Sequence, residues 1–261
     1  MPLDRRSALR AAAALAAGVA GAGGCDASAP PPVARSATPG VGSASPIPLP
    51  AGATEAAPGR ATPPAEISSG PRDRPNLALT FHGQGDPTLA RELLTELERG
   101  DARITVFAVG SWLADQPAMA RRILDGGHEL GNHTENHRDI SRMTAAQAFG
   151  EINDCAQRIK KLTGTIGSWF RPSQTQHANT LIKVAATRVG YPTCVSYDVD
   201  SLDYTDPGSS AVVRATLSQV GPGSLVSLHF GHRGTVAAIA PILDGLRQRG
   251  LHAVTMKELL A

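Results

Sequence analysis

NLALTFHGQGDP, residues 76–87, opens the folded part of the chain and decides how the rest is read. A short apolar run ends on a titratable side chain, His82. Two glycines then flank an amide, and Asp86–Pro87 stands ahead of PTLARELLTELERG. A brief continuous apolar stretch bounded by turn residues predicts a buried strand. The spacing that follows, closing at Gly100, predicts a helix. Gly83 and Gly85 predict a loop free to adjust its path. The unit is therefore β-then-α, with an imidazole at the strand's C-terminal end.

The same alternation continues outward. RITVFAVG reads as a strand and SWLADQPAMARRILDGG as a helix; HELGNH is a strand and TAAQAFGEINDCAQRIKKLTG a long amphipathic helix. SWF is a strand stub before the helical HANTLIKVAATRVG, and TCVSYDVD is a strand before DPGSSAVVRATLSQVGPG. SLVSLHF, TVAAIAPILDGLRQRG, LHAVTM and KELLA complete the series as strand, helix, strand and short helix. Repeated β/α units imply a parallel sheet with crossover helices. Six to seven of them in under two hundred residues predict an α/β fold of the incomplete parallel (β/α) barrel kind, with an open doubly wound sheet as the alternative.

Upstream of this domain the composition changes. MPLDRRSALR is basic, with Arg5 and Arg6 adjacent, and AAAALAAGVAGAGG is a weakly apolar run of small residues before Cys25. That order predicts an export signal over 1–25, of twin-arginine or general type, with Cys25 as a lipidated residue. Residues 26–75, rich in Ala, Pro, Ser, Gly and Thr, cannot bury enough apolar surface to offset chain entropy and predict a disordered tether. The folded domain is assigned to 76–261. The expected location is the outer face of a cell membrane, held only by a lipid, or the medium, with the protein a monomer. The whole chain carries a formal net charge of +2, and residues 76–261 hold eighteen basic and eighteen acidic side chains. Such a balance excludes the electrostatic footprint of a nucleic-acid binder. Cys155 and Cys194 are compatible with a disulfide or with two small buried side chains.

Polar residues mark the strand ends. His82 follows NLALTF, His133 follows HELGN, Arg171 follows SWF, Asp198, Asp200 and Asp203 follow TCVSY, and His229 and His232 follow SLVSL. In a β/α barrel those ends open on one face, where active sites form. His133 and His137, four apart, share a side if their segment is helical and could fill two places of a Zn²⁺ shell. Asp203 is a candidate to orient His229, holding it in one tautomer for general-acid work. Arg171 could bind a carboxylate or an oxyanion.

The motifs ALTF…GDP, VFAVGSWL, GHELGNHTENH, FRP, DVDSLDY and SLVSLH, in this order, resemble those of the polysaccharide deacetylases of carbohydrate esterase family four, across essentially all of 76–261. The resemblance implies a distorted, incomplete β/α barrel and metal-assisted hydrolysis of N-acetyl groups on peptidoglycan, chitin or an exopolysaccharide. Acetyl esters are a further possible substrate. HTENH fits the family's H-[ST]-x-x-H motif, which makes His133 and His137 metal ligands, with Zn²⁺ the expected ion and Co²⁺ or Mn²⁺ as alternatives. DSLDY fits D-x-x-D-[WY], which makes Asp203 the partner that tunes the acid and Tyr204 a groove residue. His229 matches the histidine that protonates the leaving amine, and Arg171 the arginine that positions the base.

The opening motif departs from the family. Where the family has T-F-D-D-G, with the first aspartate as base and the second as metal ligand, this chain has His82 and Gly83. Beyond Arg171 the family's proline and tyrosine give way to RPSQTQHAN. Three outcomes follow. His82 joins His133 and His137 as a third ligand, with the base supplied by Asp86, His232, His177 or a metal hydroxide. Or His82 is itself the base. Or catalysis is lost, and the domain is a glycan- or partner-binding module.

Overall fold

A computed structural model describes residues 65–261. The expected export signal, Cys25 and most of the tether lie outside the described residues.

Strand β1 (Glu66–Ile67) precedes the central strand β2 (Asn76–Gly83), helix α1 (Pro87–Arg99) and strand β3 (Thr105–Ala108). Helices α2 (Gly110–Asp115) and α3 (Pro117–Asp125), strand β4 (Glu129–Asn132) and helices α4 (Ala145–Thr163) and α5 (Thr180–Val189) follow. Strands β5 (Cys194–Val195) and β6 (Val199–Asp200) come next, then α6 (Ser209–Leu217), β7 (Leu225–His229), α7 (Arg233–Gln248), β8 (His252–Ala253) and α8 (Met256–Leu259). The strand pairs are parallel. The main path runs β4-β3-β2-β7-β6, with β8 on the first residues of β2, and β1 pairs separately with β5. Phe170 bridges Asn132 on one side and Cys194 on the other, so the two sheets curve towards closure through a single residue. The result is an α/β fold, the distorted, incomplete parallel barrel expected from the repeat.

The central strand is buried because both its faces are covered. Leu77, Ala78, Leu79 and Phe81 are fully inaccessible, and Thr80 hides its hydroxyl by donating to the Val226 carbonyl at 2.6 Å. Helix α1 starts where Asp86 accepts the Thr88 N–H at 2.7 Å, with Pro87 at its first turn. There the missing proline donor costs nothing. Its Leu89, Ala90, Leu93, Leu94 and Leu97 face the core. Each such leucine contributes about 1.5–3 kcal/mol.

Differences from the sequence reading have local causes. The helix expected over SWLADQPAMARRILDGG is two: the backbone leaves the helical region at Gln116 (φ −127°, ψ 59°), and Pro117 starts α3. TCVSYDVD yields two short strands, and SWF contributes only the bridges of Phe170. Order begins ahead of residue 76. Glu66 accepts from His177 Nδ1 (2.9 Å) and pairs with Lys183 Nζ (3.0 Å), which fastens β1 to the domain. The glycines of the opening loop serve close approach rather than free movement. A Cβ at Gly83 would lie 2.7 Å from Val106 Cγ1, and one at Gly85, whose φ is +91°, 2.9 Å from the Gly231 Cα. Cys155 and Cys194 are buried and unbridged, and burial pushes both thiols up, Cys194 to about 12.

Candidate active site

The C-terminal ends of β2, β4 and β7 bring His82, His133 and His229 together. Register sets His82 opposite His229. The His82 ring centroid lies 4.3 Å from that of His133 and 4.3 Å from that of His229. His137 joins them with its ring 4.9 Å from His133.

His137 does not arrive by a helix, as its spacing had suggested. The loop after β4 turns tightly through Thr134 (φ 68°) and His137 (φ 52°), both left-handed. Such residues cost about 1–3 kcal/mol each unless their surroundings hold them. Here the surroundings do. Thr134 N–H donates to Asn132 Oδ1, the His137 N–H to Thr134 Oγ1, and Gln174 Nε2 to the His137 carbonyl at 2.7 Å.

Arg171 organises the floor. It is 1% exposed and forms no salt bridge among the described residues; Nε donates to the Val195 carbonyl (3.3 Å) and Nη2 to the Ser196 carbonyl (2.9 Å). Its guanidinium lies 4.4 Å from the Phe107 ring centroid and 5.5 Å from that of Tyr197. Burial brings its pKa down to about 9. Nη1 lies 3.3 Å from His82 Nε2. A guanidinium only donates, so that nitrogen accepts, and neutral His82 carries its proton on Nδ1. The Arg171 carbonyl meets His133 Nδ1 at 2.9 Å. A carbonyl only accepts, so His133 carries its proton there and presents a bare lone pair at Nε2. One residue thus sets the same Nδ1–H tautomer on two touching rings, at one through its guanidinium and at the other through its carbonyl.

Burial first, then the neighbouring cations, hold His82 well below the usual histidine range; the charges acting on it come from His133, His229, Arg171 and His137. Burial, followed by His137, does the same to His133, and burial with His229 lowers His137.

On the other wall, Asp203 accepts from His229 Nδ1 at 2.7 Å, from the His229 N–H at 2.8 Å and from Thr235 Oγ1 at 2.7 Å. Burial alone would raise this carboxyl; the bonds from His229 and Thr235 outweigh it and hold it below its ordinary value. Tyr204, half exposed, has its ring 5.3 Å from that of His229. A pocket of about 330 Å³ opens above, lined by His82, His137, His229, Tyr204, Tyr197 and Asp200, with Gln174 and Gln176 along one side. That volume suits a sugar-sized ligand.

The residues fit a divalent ion in two places. His133 Nε2 is buried without a hydrogen-bond partner among the described residues. A histidine backed by a carbonyl and baring its other nitrogen is the arrangement metal ligands adopt, and His137 stands beside it. The third place is not filled in the family's way. Gly83 has no side chain and no room for one, and the Nε2 of His82 is taken by Arg171. Among the described residues no group of three or more His, Cys, Asp or Glu is arranged to hold an ion.

The other base candidates stand elsewhere. Asp86 caps α1, His177 pairs with Glu66, and His232 pairs with the exposed Asp206 at 2.8 Å, outside the pocket lining. The residues that sequence reasoning missed are Asp200, weighed only as a strand-end acid, and Gln174 and Gln176. Both glutamines stand in RPSQTQHAN, the segment whose departure from the family pattern was the one sequence signal there.

Comparison with known proteins gives a consistent picture. A family model described as polysaccharide deacetylase matches residues 69–193. A peptidoglycan-N-acetylglucosamine deacetylase of Bacillus cereus is 31% identical over 194 residues, covering 73% of this chain and 90% of its own. A family 4 carbohydrate esterase from Streptomyces lividans, solved in complex with acetate, is 29% identical with a TM-score of 0.64, covering 68% of this chain and 91% of that one. A CE4 family pseudoenzyme from Bacillus anthracis shares the fold at a TM-score of 0.70 and 23% identity, covering 76% of this chain and 69% of that one. The chain spans 61% of the length of the Bacillus subtilis protein YlxY, itself uncharacterized, at 25% identity over 76% of this chain.

Proposed function

The chain belongs to the polysaccharide deacetylase family, and from that premise we propose that it is an exported hydrolase removing N-acetyl groups, or O-acetyl groups, from a cell-wall or extracellular polysaccharide such as peptidoglycan, chitin or an exopolysaccharide. The observation that carries this reading is the His229–Asp203 pair. A buried carboxylate with three donors on it holds one imidazole in place at the edge of a sugar-sized pocket. A purely structural histidine needs no such orientation.

Each side chain then has a task. Asp203 accepts the Nδ1–H of His229, and in the imidazolium form of that ring the Nε2–H is the proton handed to the departing amine. His82, its lone pair engaged by Arg171, offers Nδ1–H to the substrate rather than taking a proton. Asp200, on the pocket wall, accepts the Leu202 N–H through Oδ1 and keeps Oδ2 for the proton that water releases. Tyr204 lines the groove. His133 and His137 would hold the divalent ion, Zn²⁺ first and Co²⁺ or Mn²⁺ in its stead. Such an ion, when bound, polarises the acetyl carbonyl and acidifies a water. The basic start of the chain, its small-residue run and Cys25 support export and a lipid anchor.

A second reading is favoured by one observation, the closed-off third ligand place at Gly83. In that reading the pocket only grips glycan. Acetate release from N-acetylglucosamine oligomers, measured beside zinc content for wild type, His82→Ala and His133→Ala, separates the two. Activity with metal lost in His133→Ala supports the hydrolase. Glycan binding untouched by chelators, with no acetate released in Zn²⁺, Co²⁺ or Mn²⁺, supports the module.

A further inference from the structure

Arg171 is a buried cation with no acidic partner among the described residues. Buried charges are ordinarily paired, and an uncompensated one costs several kcal/mol. Carbonyls of Val195 and Ser196 and two aromatic faces satisfy its geometry, but none of them carries a negative charge. The nearest side-chain partner is His82, which carries no negative charge. The acids at the site do not reach this corner. Asp203 is spent on His229 and Thr235, and Asp200, whose Oδ1 accepts the Leu202 N–H, forms no ion pair with Arg171 among the described residues.

The charge is relayed to the pocket by geometry. Arg171 itself is covered, while His82 lines the cavity. Because Nη1–H occupies Nε2, the proton of His82 sits on Nδ1, which has no protein acceptor among the described residues. The pocket therefore presents an N–H donor backed directly by a guanidinium. A donor so polarised prefers an anionic acceptor. Resting on the glycan reading above, we propose that the pocket selects saccharides bearing a carboxylate, such as the lactyl ether of muramic acid or a uronic acid, whose anion lies against His82 and supplies the negative charge this chain lacks beside Arg171.

The test uses the full chain and three probes at fixed ionic strength near neutral pH: N-acetylmuramic acid, N-acetylglucosamine and sodium acetate, followed by calorimetry and by the imidazole resonances of His82. Wild type is expected to bind N-acetylmuramic acid about tenfold more tightly than N-acetylglucosamine. The preference weakens as salt rises, and acetate displaces the acidic sugar. His82→Asp, which sets the chain's own carboxylate against the guanidinium, brings the two sugars to within about twofold of each other. Its thermal midpoint reports that the variant is folded. Equal binding of both sugars by wild type overturns the inference and leaves the glycan reading intact. A preference that persists in His82→Asp overturns the assignment to this pair. Acetate binding at His82 without either sugar upholds the carboxylate site and sinks the glycan reading. No binding by any probe overturns both.

Discussion

The guanidinium of Arg171 stands 3.3 Å from the Nε2 of His82, a buried cation set directly against an imidazole. The same residue's carbonyl accepts from His133 Nδ1, so its two ends fix two imidazoles in the same Nδ1–H tautomer. Lysine cannot reproduce that fork. Arg171→Lys is expected to lose about 1.5–3 kcal/mol, the worth of hydrogen bonds to a charged group, in urea unfolding. An unchanged midpoint would mean the fork holds nothing in place.

Acid should unfold the metal-free domain early. Folding holds His82 and His133 below their ordinary values, by burial first and by neighbouring cations second. The unfolded chain therefore binds more protons below about pH 6.5, and stability falls as pH drops through that value. Each histidine adds a slope of up to about 1.4 kcal/mol per pH unit. Thermal melts in chelator between about pH 7.5 and pH 5 should show this loss, and His133→Asn should reduce it. A flat profile would contradict the burial of neutral imidazoles.

Asp203 is held below its ordinary value by donors that outweigh its burial, so its stabilising contribution is present above about pH 4 and lost as pH falls further. Asp203→Ala leaves Thr235 and the His229 ring without their acceptor. Unfolding free energy should drop by about 1–3 kcal/mol, and acetate release should fall as well. Full stability in that variant would show that the network is not formed in solution.

The opening glycines predict a graded response. Gly83→Ala meets Val106 Cγ1 at 2.7 Å and should cost about 1–3 kcal/mol. Gly85→Ala adds a left-handed φ of +91° to a 2.9 Å approach to backbone and should cost more. Denaturant melts of the two variants give the order directly, and equal stabilities would contradict the packing of this loop.

Metal content separates the imidazoles. His133→Ala should abolish zinc uptake measured by elemental analysis. His82→Ala should change it by less than about threefold, or about 0.7 kcal/mol, because its accepting nitrogen already faces Arg171. Equal loss in both variants would place His82 in the shell.

Much of this was legible in the sequence. The β/α order, the strand-end positions of His82, His133 and His229 and the pairing of Asp203 with His229 follow from apolar runs and from where they stop. What was not legible depends on distance. Whether Gly83 leaves room for a side chain is set by Val106 and Ala108 on the neighbouring strand. The tautomers of His82 and His133 depend on Arg171, far along the chain, reaching both. His137 joins the site through left-handed turns that no periodicity encodes. Asp200 gave no signal beyond its place at a strand end, because its position on the pocket wall depends on the other strands that enclose the pocket.

The most direct test of the account is acetate release from N-acetylglucosamine oligomers and from peptidoglycan, with Zn²⁺ supplied, by wild type and His229→Ala. The account predicts steady release by wild type and a loss of about 10²–10⁴-fold in the variant, the range expected for a general acid. Glycan bound by both proteins with acetate released by neither would contradict it.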